Sequence, residues 1–294
     1  MMIKLISRNI KLYFRNRTAV FFSLLSVLIV IILYVLFLSN IQVESVNEQL
    51  NGTISEKDIS YLINSWVLAG LLSITTVTST LGALGFMVND REKKIVMDFK
   101  SAPLKISTYP IAGVVSAMIV GILISVIAFM VYGLYIYIDT GYYFSLIIIL
   151  KTLGLVFIST FMSAALMGLL VSFFSTNSAF SSASLLIGTT IGFVNGLYIP
   201  VGQLSNIIQK SLNLLPFAHI ASLFRQTLMK DSIALSFAGA PLSAINNYKE
   251  DFGVILKWGE TNINFNFSIT FIILVFLVSL ALFFVNFRRK RQVI

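Results

Sequence analysis

Apolar residues in this chain run in long blocks, with neither the strict alternation of a half-buried strand nor the single stripe of a soluble helix. A helix that crosses a bilayer core needs about 20 apolar residues. Six blocks meet that length: 18–38, 62–88, one within 107–138, one within 144–174, one from near Phe180 to Pro200, and 265–287. Pro110 stands near the start of the third block, where proline is tolerated, and Pro200 closes the fifth. The pattern predicts an all-α integral membrane protein with six transmembrane helices. The first block has a basic flank, but it is too long for a signal-peptide core and no small-residue cleavage site follows it. It is expected to be a retained span.

Three stretches between the blocks are more than linkers. At the N-terminus, Lys4, Arg8, Lys11 and Arg15 recur at i, i+4, i+7 and i+11, one stripe at helical spacing. Ile3, Ile6, Ile10, Tyr13 and Phe14 fall on the far side. Residues 1–17 should form an amphipathic interfacial helix, basic side toward membrane lipids. Residues 89–105 are a charge-dense island. Asn89 with Glu92 reads as a capping box, Asp90 and Lys94 as an i,i+4 pair, and Pro103 as a stop. Ile95, Val96 and Phe99 make an apolar edge, for another subunit or for the chain's own spans. Residues 203–228 are too apolar for an open loop and are broken by Pro216. They predict a re-entrant helical hairpin within an outer region, 200–264. Its remainder, 229–264, carries turn punctuation at Gly239, Pro241, Gly253 and Gly259.

Charge orients the spans. Only 11% of residues are charged, against about 25% in soluble domains. The net charge of +9 therefore points to loops facing anionic lipid, with no nucleic acid. Fourteen of the 21 basic residues fall before the first block, in the island, or after the last. With six spans all three share one side, which places both termini in the cytoplasm. Zero Cys and a single His remove disulfides, thiolate sites and most zinc or triad schemes. There is no P-loop, no HExxH and no chain of acids along the spans.

Inside the blocks, Ser184, Gly188, Gly192 and Gly196 recur at every fourth position, with Asn195 beside them. Such a stripe brings two helices close, within one chain or between two. The second block is rich in hydroxyls, Thr75, Thr76 and Ser79 among them. They line a polar pathway, or bond to their own helix backbone. Lys151 is expected to snorkel near the outer interface, and His219 to be an interfacial residue beside Pro216.

The order of these pieces resembles the permease subunits of ABC exporters in the second ABC permease superfamily. The resemblance rests on Tyr13-Phe-Arg-Asn-Arg17, on Asp90-Arg-Glu-Lys93 followed by Ser101-Ala-Pro-Leu104, and on Gly196-Leu-Tyr-Ile-Pro200 through Leu215-Pro216 to Arg225. It implies a connecting helix at 1–17, a permease domain at 18–294 and a coupling helix at 89–105. Asp90, Arg91, Glu92, Lys93, Ile95, Val96 and Phe99 would then meet a separate ATPase subunit. That subunit would bind ATP and Mg, leaving this chain without a cofactor or a catalytic residue. A second permease copy, identical or paired, would complete a pathway lined by spans two and five. The outer hairpin would close the exit. The implied function is ATP-driven export of an amphipathic drug, peptide or lipid across a bacterial cell membrane. A secondary transporter would want intramembrane ionisable residues or an inverted repeat, and a lipid-modifying enzyme paired acids; neither pattern is visible.

Overall fold

The computed structural model describes residues 1–17, 20, 55–101, 107–259 and 261–289. The first expected span, most of the polar segment that follows it, and Pro103 and Lys105 of the island lie outside the described residues. Among the described residues four helices are long and apolar enough to cross a membrane. They are α2 (Glu56–Glu92), α4 (Thr108–Thr140), α5 (Leu146–Phe173) and α11 (Phe265–Arg289, apolar through Phe287). These fall on the second, third, fourth and sixth blocks.

α2 is the central element. Ser55 caps its start by accepting from the Asp58 N–H, and Glu56 and Asp58 place negative charge in the first turn. From Ile59 to Leu81 only Ser60 and Thr78 are less than buried. Its widest contact is with α4, then α5. Small residues allow the close fit: a Cβ on Gly121 of α4 would sit 2.6 Å from Thr160 of α5 and 2.7 Å from Thr80 of α2. α11 packs mainly on α5. Lys151 is exposed in the second turn of α5.

α1 (Met2–Arg15) lies against α4 and one end of α2. Leu5, Asn9 and Tyr13 are its buried face. Tyr13 thus turns inward, away from the exposed apolar side where Ile3 and Phe14 stand.

The island differs from its expected form. Asn89 is not a cap: α2 runs through it to Glu92. The chain then breaks at Lys93 and Lys94, where Lys94 has φ 60°, and α3 (Ile95–Ser101) begins. Asp90 and Lys94 therefore do not share a helix. The break has a physical cause, since the last turn of α2 finds better partners far away in sequence.

The fifth block forms α6 (Asn177–Val194), shorter than expected. It ends six residues before Pro200 because Gly196 turns the chain with φ 65°, a conformation that suits glycine. The outer region contains two short helices, α7 (Asn206–Asn213) and α8 (Pro216–Leu228), with Pro216 in the first turn of α8. α8 is buried on nearly every side and packs on α2, α11 and α5. The remainder folds into α9 (Lys230–Ser236), α10 (Leu242–Asp251) and a two-strand antiparallel ribbon, β1 (Lys257–Trp258) with β2 (Thr261–Asn262).

Candidate functional site

Two polar hubs sit on α2, one at Asp90 near its C-terminus and one at Trp66 and Ser73 in its first half; they are called inner and outer after the sides that the charge pattern predicts. At the inner hub, Arg8 of α1 forms a two-pronged ion pair with Asp90, both N···O distances 2.9 Å. Asp90 is 1% exposed and also accepts from the Tyr109 hydroxyl of α4 at 3.1 Å. The hydrogen bond to Asp90 holds the Arg8 guanidinium above its ordinary pKa. The same guanidinium lies 5.4 Å from the centre of the Phe99 ring, and Phe99 packs on Tyr109. Next to it, Asn9 donates to Ser116 at 3.3 Å. One buried carboxylate thus joins α1, α2, α3 and α4.

The neighbours of Asp90 make further ties within the chain. Arg91 donates to the carbonyls of Val171, Ser172 and Phe174 at the end of α5. These are groups that a helix C-terminus leaves unpaired. Glu92 accepts from the side chain and backbone N–H of Asn177, in the first turn of α6.

This arrangement divides the expected coupling residues between the chain's own contacts and its surface. Asp90, Arg91 and Glu92 are engaged with their own chain. Val96 and Phe99 pack on the protein's own core, and Ile95 is half-buried. The outward edge consists of Lys93, Lys94, Met97 and Asp98. The apolar edge was legible in the sequence; the direction it faces was not.

At the outer hub, Arg225 of α8 is completely buried. Its Nη2 donates to the carbonyls of Asn195 at 2.8 Å and Gly196 at 2.9 Å, and Nη1 to Gly253 at 3.4 Å. Its guanidinium stands 5.0 Å from the Trp66 ring centre of α2. The Trp66 indole N–H donates to the Phe252 carbonyl at 2.9 Å. The Asn195 side chain donates to Ser73 of α2 at 2.9 Å. α2, α6, α8 and the outer appendage meet at this one cation. Residue patterning had passed over Arg225 as a site. The available signal was a lone cation inside the apolar segment Pro216–Leu228.

His219 is likewise buried, not interfacial. Its Nε2 donates to the Asn213 carbonyl at 2.9 Å, so Nδ1 accepts from Ser268 at 3.0 Å. It staples α7 and α8 to α11.

The glycine stripe divides. Gly192 lets the Tyr198 ring fold across the end of α6, and Gly196 makes the turn. Gly188 faces open space, and Leu185, Leu186 and Phe193 on the same helix are exposed. Ser184 buries its hydroxyl without a partner among the described residues. Thr75, Thr76 and Ser79 lie in the middle of α2. All three are buried, and they donate to Leu71, Ser73 and Thr75 carbonyls of their own helix at 2.8, 2.9 and 2.5 Å.

Among the described residues no group of His, Asp, Glu or Cys is placed to hold a metal. Among curated proteins, no relative matches this sequence. A family model described as ABC-2 type transporter matches residues 2–229, from α1 and the inner hub through to the outer hub at Arg225. The match covers well over half of the chain, and the chain therefore belongs to the ABC-2 type transporter family, as a multi-pass membrane permease that works with an ABC ATPase subunit.

Proposed function

We propose that this chain forms the pathway of an ATP-driven exporter, as one of two permeases above a pair of ATPase subunits. The observation that carries the reading is the mounting of α3. Its exposed edge carries Met97 and Asp98 and continues from Lys93 and Lys94, while its inner edge is fixed to α1, α2 and α4 through Phe99, Tyr109 and the Arg8–Asp90 pair. A short helix built this way passes a push from a docked subunit into the spans. ATP and Mg would be bound by that subunit, and this chain supplies no chemistry.

Orientation follows from the same end of the molecule. α1, the end of α2 and the Phe287 end of α11 gather there, and they carry the basic segments of the sequence. Anionic lipid and the cytoplasm lie on that side of the cell membrane. The exposed face of α6 around Gly188 supports pairing with a second permease through that helix. The α7–α8 pair supports a hairpin dipping into the outer leaflet, with its apolar Ile207, Ile208 and Leu214 exposed. The substrate class that suits the spans is an amphipathic drug, peptide or lipid, because α2, α4 and α5 offer no acidic relay between their ends.

The test is co-purification with the cognate ATPase. Reversing both outward lysines, Lys93→Glu with Lys94→Glu, should release the ATPase while the permease still elutes as a single folded species. Full retention of the ATPase by that variant would refute docking at α3. Gly188→Leu should weaken permease pairing without disturbing the chain's own packing, because nothing lies within 4 Å of the added Cβ. Cross-linking yield between two tagged permeases measures that effect.

A further inference from the structure

Arg225 is a cation without an anion. Among the described residues no carboxylate bonds to it, and it is held by three backbone carbonyls and the face of Trp66. Removing a full charge from water is costly, and carbonyl dipoles repay only part of that cost. The hub is also incompletely satisfied: Arg225 Nε, Tyr248 Oη and Asn195 Oδ1 are buried without partners among the described residues. Buried polar groups of this kind are normally paired, so a cluster of three marks an arrangement in which water access would be favourable.

The attachment points are also informative. Asn195 and Gly196 belong to the C-terminal turn of α6, whose free carbonyls want a donor. Gly253 belongs to the outer appendage and has φ 64°. Its own Cβ would stand 2.9 Å from the Arg225 Nη1, so the backbone approach requires glycine there. The guanidinium fork spans both carbonyl sets at once, which a lysine ammonium at that position could not do with the same geometry.

We propose that Arg225 is the latch of the exit. It is a positioning residue that holds the end of α6 and the outer appendage together over Trp66, and the exit opens when these carbonyl bonds are released to water. This proposal rests on the reading, implied by the family resemblance, of the outer hairpin within residues 203–228 as the segment that closes the exit.

The chain has no cysteine, so an introduced pair reports without background. Ser73→Cys with Asn195→Cys replaces two side chains that are hydrogen-bonded at 2.9 Å across the hub. The chain has two tryptophans, and Trp258→Phe leaves Trp66 as its only one; pairing it with an ATPase subunit whose tryptophans are replaced by phenylalanine makes Trp66 the sole tryptophan emitter. The permease is reconstituted with its ATPase subunit in vesicles and compared without nucleotide and after trapping with ATP and vanadate. The expected result is a high disulfide yield without nucleotide and a several-fold lower yield after trapping. Trp66 emission should shift to the red on trapping. Oxidised complex should lose ATP turnover and regain it on reduction. In an Arg225→Met background the yield should already be low, and Trp66 emission already red-shifted, without nucleotide; Arg225→Lys should fall between.

The outcomes separate the two ideas. A disulfide that forms equally in both states and leaves ATP turnover unchanged would overturn the exit reading, and the latch with it. A disulfide that behaves as expected, in an Arg225→Met complex indistinguishable from the parent in yield and emission, would overturn the latch alone. If Arg225→Met fails to assemble with the ATPase, Arg225→Lys decides on the same readouts, and a parental yield counts against the latch.

Discussion

Arg8 and Arg225 are both held inside the molecule against α2, yet they are held in opposite ways. Arg8 meets a carboxylate through two bonds, and its side chain is still 31% exposed. Arg225 meets only carbonyls and an aromatic face, and has no exposure at all. At the inner end the buried charge that needs its partner is the acid. At the outer end it is the cation, and no acid answers it. The inner hub is therefore a joint, closed by complementary charge. The outer hub is a clasp of carbonyl bonds, which water can replace. That asymmetry suits the proposed exporter, in which force would enter at the inner hub and the path would open at the outer one.

Removing Arg8 should have the largest effect. Arg8→Met strands Asp90 in a site with 1% exposure, a loss of about 3–5 kcal/mol for an uncompensated buried charge. A lower melting temperature of the purified permease, with loss of ATPase retention, is the expected observation. Asp90→Asn should cost less, about 1–3 kcal/mol, because Arg8 can turn toward water while Tyr109 keeps a partner. If the two variants melt alike, the comparison at the inner end is wrong. The swap Arg8→Asp with Asp90→Arg should recover part of the loss, measured by the same melting curve. Arg225→Met should change stability least, by about 1 kcal/mol or less, because losing the carbonyl bonds is offset by no longer burying an unpaired charge. An Arg225→Met melting loss as large as that of Arg8→Met would erase the distinction between joint and clasp.

Much of this was legible in the residues, for definite reasons. Spans two, three, four and six announce themselves by length and apolarity, signals that need no partner. The stop at Pro216 and the turns at Gly253 and Gly259 are local chemistry, and the structure places left-handed glycines at both of the latter. Partnerships were another matter. Asn89 and Glu92 match a cap, but Glu92 instead reaches Asn177. Asp90 has a suitable lysine four residues on, but its ion pair is 82 residues back. A local pattern is read as a local bond unless the fold offers something better buried. Arg225 illustrates the other limit. Its partners are main-chain carbonyls, which every residue carries, so no side-chain pattern points to them. At Gly192 of the glycine stripe the approaching group is the chain's own Tyr198 ring, a contact that no periodicity announces.

α2 contains no proline and runs unbroken for 37 residues. Trp66 and Asp90 are 24 positions apart on it, about 36 Å along the axis. Joint and clasp are thus two fittings on one shaft, encased by neighbours for most of its length. Such a shaft has little room to bend; it can slide or turn. On the proposed reading, a twist applied where α3 hangs from it would be carried toward Trp66, under the guanidinium of Arg225. Drive and exit would then be parts of a single axle.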